Sequence, residues 1–469
     1  MFLAIKKIHM VGIGGSGMSG IAEILHNLGY EVSGSDIKSS PLIEKLIKSG
    51  IKIYIGHDAN NLKDSEVLVY SSAVHKSNPE LIEAQNNKIP IIHRSEMLAE
   101  LMRLKTSIAV SGTHGKTTTT SILASSLHYL HMDPTVIIGG KINTFDGHSK
   151  IGKGDLFVAE ADESDGSFLK LNPTIAIVTN IDRDHLDHYE NLDNIIKTFE
   201  LFLNKVPFYG ALCLCIDDPI VQVLLPQLKR KIITFGLRHD ADIYAKNIQL
   251  SGFHSTYTPI IFGKKYHEVH LKMPGQYNIV NSLATFAIGH LFHINPNETA
   301  KSISHFEGVE HRFTLIGEIN NAIIVDDYAH NPKKIQTVLS GARESFPNKH
   351  IIAIFQPHRY TRIKYQMDEF SKCFKDADDL IITPIYTAGE QAIPNITIDI
   401  LAHMIKLGSF DGVVNAIFLA ENFQLAIDLC VKKILEEKYK EFIVISLGAG
   451  DIKNIGPSIF QKLKENQHG

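Results

Sequence analysis

The sequence predicts an α/β protein of about three domains with largely parallel sheets. Short β-rich apolar runs alternate with helical patterns along the chain, which is typical of helices packed on parallel strands. Two of these runs lead directly into glycine loops that open a helix. The length of 469 residues is about three times a common domain size of ~150 residues.

Composition and charge exclude several classes of protein. A net charge of −4 excludes a strongly basic protein that holds nucleic acid by charge alone. No apolar run approaches the ~18–20 residues that span a bilayer, and the first residues run straight into a strand, so we expect neither a membrane segment nor a signal peptide. Cys213 and Cys215 alternate in an apolar run and are interpreted as buried strand thiols. We therefore expect a cytoplasmic protein with no nucleic-acid and no membrane partner.

The first predicted domain, residues 1–103, contains a glycine loop between a strand and a helix. Its strands are expected at 8–11, 31–34, 67–71 and 91–92, and its helices after the glycine turn through about residue 28 and at 95–103. Gly12, Gly14 and Gly17 match G-x-G-x-x-G, in which glycine lets the backbone approach a pyrophosphate at the helix N-terminus. Asp36 follows the second strand, where an acid can bond a ribose hydroxyl. The motif alone predicts that the loop binds a nucleotide diphosphate, such as a nicotinamide or flavin dinucleotide. The alternative is a tight turn that binds no ligand.

The second predicted domain, residues 104–311, contains a phosphate loop. The segment Ser111-Gly112-Thr113-His114-Gly115-Lys116-Thr117-Thr118 follows an apolar strand and opens a helix. In such a loop the backbone N–H groups hold phosphates, Lys116 reaches the β and γ oxygens, and the Thr117 hydroxyl can ligate Mg²⁺. The loop departs from G-x-x-x-x-G-K-[ST], because Val110 stands where the first glycine belongs. Core strands are expected at 156–159, 175–179 and 211–216, a small antiparallel flap at about 232–273, and a helix at 278–291.

Two acidic clusters follow strands of this same domain. Residues 160–165 come after one strand and residues 180–187 after another. Since ligands of open α/β sheets bind at the carboxyl ends of strands, both clusters are expected beside the phosphate loop. Phosphoryl transfer from ATP requires Mg²⁺, and carboxylates supply hard oxygen ligands for it. The alternative for either cluster is a solvated acidic loop.

The third predicted domain, residues 312–469, carries polar groups after two strands. Its strands are expected at 322–325, 351–355, 380–383 and 442–447. Residues 326–332 follow the first strand, and residues 356–362 follow the second. Arg359 and Arg362 lie three apart at a strand end, where they could fork onto a carboxylate or phosphate. Here too, a solvated loop is the alternative.

These four groups, in this order, resemble the Mur ligase family across essentially the whole chain. The most specific pieces are Val-Gly-Ile-Gly-Gly-Ser-Gly-Met-Ser-Gly-Ile-Ala-Glu (11–23), Gly-Thr-His-Gly-Lys-Thr-Thr-Thr (112–119), Ala-Glu-Ala-Asp-Glu-Ser-Asp (159–165), Thr-Asn-Ile-Asp with Asp-His-Leu-Asp (179–187) and Gln-Pro-His-Arg-Tyr-Thr-Arg (356–362). The family's phosphate loop has the shorter form G-T-x-G-K-[ST], which explains Val110.

The resemblance implies a fold, a reaction and a set of ligands. It implies a Rossmann-like N-terminal domain that binds a UDP-sugar, a central P-loop ATPase-type domain and a Rossmann-like C-terminal domain that binds an amino acid. The implied reaction joins L-alanine to the lactyl carboxylate of UDP-N-acetylmuramate through an acyl phosphate. It uses ATP and Mg²⁺, for which Mn²⁺ is expected to substitute, and the chain is expected to be a monomer or a weak homodimer. The close alternative is a ligase that recycles a murein peptide onto the same sugar nucleotide. A second alternative is a dinucleotide-dependent dehydrogenase, which would leave residues 112–187 without a function.

The resemblance also assigns site residues. The implied UDP-sugar residues are Gly12, Gly14, Gly15, Ser16, Gly17, Asp36, Ser71, Ser72, His93 and Arg94. The implied ATP residues are Gly112, Thr113, His114, Gly115, Lys116, Thr117, Thr118, Asn281, Arg312 and Asp327. The implied Mg²⁺ ligands are Thr117, Glu160 and His185, and the implied catalytic residues are Lys116, His330, Arg359 and Arg362. Two positions depart from the family pattern, because Tyr277 and Asn331 stand where histidine is usual.

Overall fold

The computed structural model describes residues 5–142, 145, 147–408, 414–437 and 439–466, without the side chains of Ser16, Ile142, Leu186 and Asp187. The chain divides into two compact units. The first unit comprises Met1–Lys246, Thr258–Val269 and Val280–Glu307, and the second comprises Asn247–Tyr257, His270–Ile279 and Gly308–Gly469. The predicted domain boundaries at 103/104 and 311/312 remain predictions.

The first unit begins with a five-stranded parallel sheet. Its strands are β1 (Lys7–Val11), β2 (Glu31–Asp36), β3 (Lys52–Ile55), β4 (Val67–Tyr70) and β5 (Ile91–His93), and its helices are α1 (Ser16–Asn27), α2 (Pro41–Lys48), α3 (Pro79–Asn86), α4 (Arg94–Met102) and a 3₁₀ turn at Ala59–Asn61. The strand order is β3-β2-β1-β4-β5. The order reverses between β1 and β4, and ligands of open α/β sheets bind at such a point. This arrangement confirms the four strands predicted in this region and adds β3.

A larger sheet follows along the chain. Its strands are β6 (Thr106–Ser111), β7 (Thr135–Ile142), β8 (Gly147–Lys150), β9 (Leu156–Glu160), β10 (Ile175–Val178), β11 (Ala211–Cys215), β12 (Lys231–Gly236), β13 (Ile243–Ser251), β14 (His254–Ile261), β15 (Lys264–Lys265) and β16 (Val269–Leu271). Its helices are α5 (Lys116–Tyr129), α6 (Leu186–Tyr189), α7 (Leu192–Asn204), α8 (Pro219–Leu224), α9 (Gln276–Leu291) and α10 (Pro296–Ser304), with 3₁₀ turns at Ser167–Lys170 and Leu225–Gln227. The parallel strand order β9-β6-β10-β11-β12 brings the ends of β6, β9 and β10 together.

The prediction of an antiparallel flap at 232–273 is wrong for its first strand. β12 pairs in parallel with β11 and extends the main sheet, and the start of β13 pairs in parallel with β12. The antiparallel pairing lies further along, between β14 and β15. β12 is built from Lys231-Ile232-Ile233-Thr234-Phe235-Gly236, an apolar run that is typical of a buried parallel strand.

The second unit is built on a six-stranded sheet. Its strands are β17 (Thr314–Ile319), β18 (Ala322–Asp327), β19 (His350–Phe355), β20 (Asp379–Ile382), β21 (Ala416–Leu419) and β22 (Phe442–Leu447), and its helices are α11 (Pro332–Ser345), α12 (Tyr360–Tyr365), α13 (Met367–Phe370), α14 (Ile398–Gly408), α15 (Phe423–Glu436) and α16 (Ile455–Glu465), with a 3₁₀ turn at Asp451–Asn454. The order is β17-β18-β22-β19-β20-β21, with β17 antiparallel and the others parallel. The carboxyl ends of β18 and β19 therefore flank the end of β22.

Apolar strands account for the positions of the sites. The central residues of β6, β10, β18 and β22 are almost entirely buried, while polar residues follow where each strand ends. The predicted α/β class with mainly parallel sheets is confirmed. Within the part of the chain that the structure describes, no helix combines the length and the apolar character that crossing a membrane requires.

Candidate functional site

The glycine loop between β1 and α1 is held close to the ends of β2 and β4. The N–H of Gly12, which has a φ of 77°, donates to the Ser35 carbonyl at 2.8 Å. A Cβ on Gly14 would lie 2.9 Å from both the Asp36 carboxylate and the Ile43 side chain. A Cβ on Gly17 would lie 3.1 Å from the Arg94 guanidinium. The loop thus needs glycine for backbone geometry and for close approach.

Asp36 fixes this loop through its carboxylate. One oxygen accepts the N–H of Gly14 at 2.9 Å, and the other accepts the N–H of Ile37 at 2.8 Å. The sequence assigned Asp36 to a ribose hydroxyl, and that assignment stays a prediction. α1 begins right after Gly15, at Ser16, whose side chain lies outside the described residues.

Side chains after β4 and β5 line the space facing the glycine loop. The Ser72 hydroxyl lies 2.9 Å from His93 Nε2 and donates to Asp165 at 2.8 Å. His93 is buried, and burial together with the charge of Lys170 lowers its pKa. Arg94 lies 3.7 Å from the Asp162 carboxylate. The residue before Ser72, Ser71, donates its backbone N–H to Val11 and lies 3.2 Å from where a Cβ on Gly12 would stand.

The phosphate loop between β6 and α5 is supported by the end of β10. Gly112 and Gly115 have φ values of 130° and 82°, which favour glycine. The His114 N–H donates to Asn180 Oδ1 at 2.8 Å, and the Asn180 amide donates back to the His114 carbonyl at 3.0 Å. Thr113 accepts the N–H of Asp182 at 2.9 Å. These bonds fix the loop between β6 and α5 against the segment that follows β10.

Lys116, the first residue of α5, forms a largely buried ion pair with Glu163. Its Nζ donates to Glu163 at 2.6 Å and to the Gly112 carbonyl at 2.7 Å. Burial lowers the pKa of Lys116, but the negative charges of Glu163, Asp162 and Glu160 outweigh it, and the pKa lies above its usual value. Burial raises the pKa of Glu163 in spite of Lys116. Lys116 therefore stays cationic at the centre of the loop.

Thr117 and Glu160 meet beside Lys116. The Thr117 hydroxyl lies 3.1 Å from both Glu160 oxygens, and the N–H of Gly139 donates to Glu160 at 2.9 Å. A hydroxyl and a carboxylate are hard oxygen donors of the kind that Mg²⁺ prefers. His185, with a φ of 55°, lies 3.8 Å from Asp184. Among the described residues, no group of three or more His, Cys, Asp or Glu side chains has the geometry to hold a metal ion by itself.

One cavity of about 430 Å³ joins the glycine loop to the acidic loop. Its lining includes Gly15, Gly17, Ser71, Ser72, Arg94, Gly139, Glu160, Asp162 and Asp165. This volume lies within the ~300–1,000 Å³ of small-molecule sites. The structure therefore brings five of the ten predicted UDP-sugar residues, Gly15, Gly17, Ser71, Ser72 and Arg94, to one space with Glu160. Asn281 lies outside that lining; its side-chain oxygen accepts from Thr119 at 3.2 Å and would lie 2.5 Å from a Cβ on Gly115. Thr118 is buried in the first turn of α5.

In the second unit, Asp327 is buried at the end of β18. Its oxygens accept the N–H groups of Phe313 and Ala329, each at 2.8 Å. Burial raises the pKa of Asp327 to about 6, against the opposing effect of Arg312. The Arg312 guanidinium lies 5.5 Å from the centre of the Tyr328 ring.

A cluster of His330, His358, Arg359 and Arg362 lies at the ends of β18 and β19. His330 Nδ1 lies 2.8 Å from the Tyr328 carbonyl, and its ring centre lies 5.7 Å from that of His358. Arg362 donates to His358 Nδ1 at 2.9 Å. Burial, together with neighbouring cations, lowers the pKa of His358 to about 4 and that of His330 well below its usual value. Arg359 precedes α12 with a φ of 68°.

Sequence reasoning left several contacting residues unassigned. Glu163 bonds to Lys116, Asp165 to Ser72, His358 to Arg362 and Glu390 to Thr361, and the Tyr386 ring stacks on His358. The first three lie within the motifs at 159–165 and 356–362, so their place in those motifs was the available signal. Two residues stand where the family pattern usually has histidine. Asn331 caps α11 by accepting the Lys334 N–H at 2.9 Å. Tyr277 lies 2.7 Å from where a Cβ on Gly341 would stand.

Comparison with known proteins gives matches over nearly the whole chain. Residues 7–106 match the model of the Mur ligase family, catalytic domain; residues 110–289 match the Mur ligase middle domain; residues 311–450 match the Mur ligase, glutamate ligase domain. The UDP-N-acetylmuramate–L-alanine ligase of Trichlorobacter lovleyi is 46% identical over 464 residues, covering 99% of this chain and 100% of the relative. The ligase of the same name from Myxococcus xanthus is 45% identical over 458 residues, covering 98% and 95%.

Two solved structures have similar folds. The UDP-N-acetylmuramate-alanine ligase of Thermotoga maritima superposes with a TM-score of 0.79 at 29% identity, covering 98% of this chain and 99% of that one. A murein peptide ligase from Psychrobacter arcticus gives a TM-score of 0.68 at 23% identity, covering 98% of each chain, and shares the fold.

Proposed function

Because the chain belongs to the Mur ligase family, we propose that it joins L-alanine to the lactyl carboxylate of UDP-N-acetylmuramate. ATP is the phosphoryl donor, and the products are UDP-N-acetylmuramoyl-L-alanine, ADP and phosphate. Relatives of that name match the chain end to end at 45–46% identity, which supports this substrate pair.

The cavity of about 430 Å³ is the observation that carries the proposal. It connects the glycine loop, where the UDP moiety would bind at the start of α1, to Glu160 beside the phosphate loop. A sugar nucleotide held in this space would present its lactyl carboxylate toward the phosphate loop. A dinucleotide-dependent dehydrogenase would require no such connection.

Lys116 and its neighbours suit phosphoryl transfer. A cation at the start of α5 offsets the charge that develops on the transferred phosphoryl group. Thr117, Glu160 and His185 would hold Mg²⁺, and their hard oxygen donors fit it, although an imidazole is unusual. Bound there, the metal ion would neutralise phosphate oxygens. Asn281 is assigned to adenine, Arg312 to a phosphate and Asp327 to the ribose of ATP.

The second unit would supply the carboxylate-binding groups. Arg359 and Arg362, with neutral His330 beside them, would hold the carboxyl groups and orient the amine. A carboxylate is a poor electrophile, so phosphorylation converts one of its oxygens into a leaving group. The amino group of L-alanine then attacks the acyl phosphate, and the tetrahedral adduct collapses to amide and phosphate. Four buried free thiols fit a reducing compartment, so we place the reaction in the cytoplasm and expect a monomer or a weak homodimer.

Phosphate release tests the substrate pair. The purified chain is incubated with ATP, Mg²⁺, UDP-N-acetylmuramate and one amine at a time: L-alanine, D-alanine, L-glutamate or the tripeptide of peptidoglycan. We expect fast release with L-alanine alone. Fast release with the tripeptide and none with L-alanine would make the chain a murein-peptide recycling ligase; binding of NADH without phosphate release would favour the dehydrogenase.

Isotope transfer tests the acyl phosphate. With ¹⁸O in the lactyl carboxylate, one labelled oxygen is expected in the released phosphate. Label confined to the amide product and water, or release of AMP and pyrophosphate, would contradict this route.

A further inference from the structure

The segment after β20 contacts the arginine cluster on the side away from β18. Residues 383–390 form a loop in which Ala388 and Gly389 both have left-handed φ values, 50° and 86°. The Glu390 N–H closes this turn on the Thr387 carbonyl at 3.0 Å. The turn directs the Glu390 carboxylate to α12, the short helix that carries Arg362.

Glu390 caps α12 from outside the helix. One carboxylate oxygen accepts the Thr361 hydroxyl at 2.6 Å, and the other accepts the Thr361 N–H at 3.1 Å. The residue that precedes the helix, Arg359, makes no capping bond with its own side chain. First-turn N–H groups of a helix have no partner within the helix, so an external carboxylate takes the place of the usual N-cap. Thr361 lies between Arg359 and Arg362, so this contact fixes both.

Tyr386 holds the same segment from its other end. It donates its backbone N–H to the Pro357 carbonyl at 2.8 Å and accepts the Arg359 N–H at 2.9 Å. Its ring is stacked on His358, with the ring centres 5.4 Å apart and the planes at 15°. Arg359 has a φ of 68°, a left-handed conformation that an L side chain rarely adopts. Such a conformation persists only where the surroundings impose it, and Tyr386 and Glu390 impose it here.

We propose that Glu390 is a positioning residue that sets the Arg359–Arg362 pair in the geometry that binds the amino-acid carboxylate. It acts through Thr361 and the first turn of α12, while Tyr386 fixes the backbone of Arg359. This inference deepens the proposed function and rests on its assignment of the arginine pair to a carboxylate. No contact between Glu390 and a substrate is required.

Steady-state kinetics of the full chain test the proposal with three variants. Glu390→Ala removes both bonds to Thr361 and is expected to raise the KM for L-alanine about tenfold. The KM values for ATP and the sugar nucleotide should stay within about twofold, because neither Glu390 nor Thr361 is among the residues assigned to those ligands. Glu390→Gln keeps both bonds, since its amide oxygen accepts the Thr361 N–H and its NH₂ donates to the hydroxyl, and should restore the KM to within about threefold. Thr361→Val keeps the N–H bond alone and should fall between the two.

Asn422→Ala is the matched control for lost capping. Asn422 caps α15 in the same unit by accepting the Leu425 N–H at 2.9 Å, and it contacts neither arginine. We expect it to lower the melting temperature as much as Glu390→Ala does and to leave the KM for L-alanine unchanged. An equal rise in KM in this control, or a Glu390→Gln variant as impaired as Glu390→Ala, would overturn the positioning role.

Arg362→Ala separates this inference from the function on which it rests. If Arg362→Ala leaves the KM for L-alanine unchanged, the assignment of the arginine pair fails, and the positioning role fails with it. If Arg362→Ala raises that KM at least as much as expected for Glu390→Ala, and Glu390→Ala does not raise it, the positioning role alone is wrong.

Discussion

Two cationic side chains, Lys116 and Arg362, follow parallel strands in this molecule. Their partners differ in charge, because one is a carboxylate and the other is a neutral imidazole. Lys116, at the phosphate loop, is half-buried and donates to the carboxylate of Glu163 at 2.6 Å. Arg362, in the second unit, donates to an imidazole, Nδ1 of His358, at 2.9 Å. The pKa of that imidazole is lowered to about 4, first by burial and then by Arg362 and Arg359, so it is neutral near pH 7.

The difference matches the anions that each site is proposed to handle. A phosphate carries several charges and can compete with Glu163 for Lys116. A single carboxylate binds best to a cation whose existing partner carries no charge, because no ion pair has to be broken. The contrast predicts that Lys116 acts on the phosphoryl group and that Arg362 acts on amino-acid binding.

Removal of Lys116 should have the largest effect. In Lys116→Ala we expect turnover to fall by a factor of about 10³ or more, as when an oxyanion or phosphoryl donor is lost. Binding of UDP-N-acetylmuramate, measured by calorimetry, should be retained, because the glycine loop is built by other residues. Near-normal turnover in a folded variant would contradict the proposed role of Lys116 in phosphoryl transfer.

The geometry of Arg362 should matter more than its charge. Arg362→Lys keeps the cation and loses the planar fork, so we expect the KM for L-alanine to rise roughly 10- to 100-fold. The kcat at saturating L-alanine should change less. A fall in kcat with an unchanged KM would place Arg362 on the phosphoryl group and abolish the contrast with Lys116.

The metal dependence should change when Glu160 or His185 is replaced. Glu160→Gln and His185→Ala each remove an assigned ligand, and we expect the Mg²⁺ concentration for half activity to rise about tenfold in each. Glu100→Gln, at an exposed ion pair with Arg103, is the control and should behave like the unaltered chain. Mn²⁺ should support activity well, because it accepts imidazole more readily than Mg²⁺. Unchanged Mg²⁺ dependence in both variants would refute the ligand assignment.

The fold was largely predictable because the signals are local. A buried strand that ends in a glycine loop and a helix is visible in the sequence at both loops, and the strands after them are apolar runs. β12 was assigned to the antiparallel flap because a short apolar run does not reveal which strand it pairs with. The antiparallel pair β7 and β8 was missed for the same reason.

The motifs of the site could be predicted from the sequence, but most contacts between its side chains could not. Lys116, Thr117 and Glu160 belong to motifs whose chemistry is readable, and the structure brings them together. Glu163 stands in the same motif, but its pairing with Lys116 depends on how β9 and α5 pack. Glu390 lies 29 positions along the chain from Thr361, and no local pattern links the two. Partners of this kind are fixed by tertiary structure alone.

The smallest effect that we expect comes from His358, the neutral partner of Arg362. It should make the free energy of unfolding depend on pH. The folded pKa of His358, about 4, lies below the ~6.5 of an unfolded histidine. Between these values only the unfolded chain takes up the proton, so the free energy of unfolding falls as the pH is lowered through this window. From about pH 7 to pH 5 the loss from this residue should be on the order of 2 kcal/mol.

The variant His358→Asn isolates this contribution. Its side-chain oxygen can still accept from Arg362, but it does not titrate, so it should lose on the order of 2 kcal/mol less over the same interval. Urea denaturation followed by circular dichroism at the two pH values measures both losses, and the difference between them cancels the other titrating groups of the chain. If both proteins lost equal stability, His358 would be protonated as readily in the folded chain as in the unfolded one. Arg362 would then face a cation below neutral pH, and its partner would no longer differ from that of Lys116 by being uncharged.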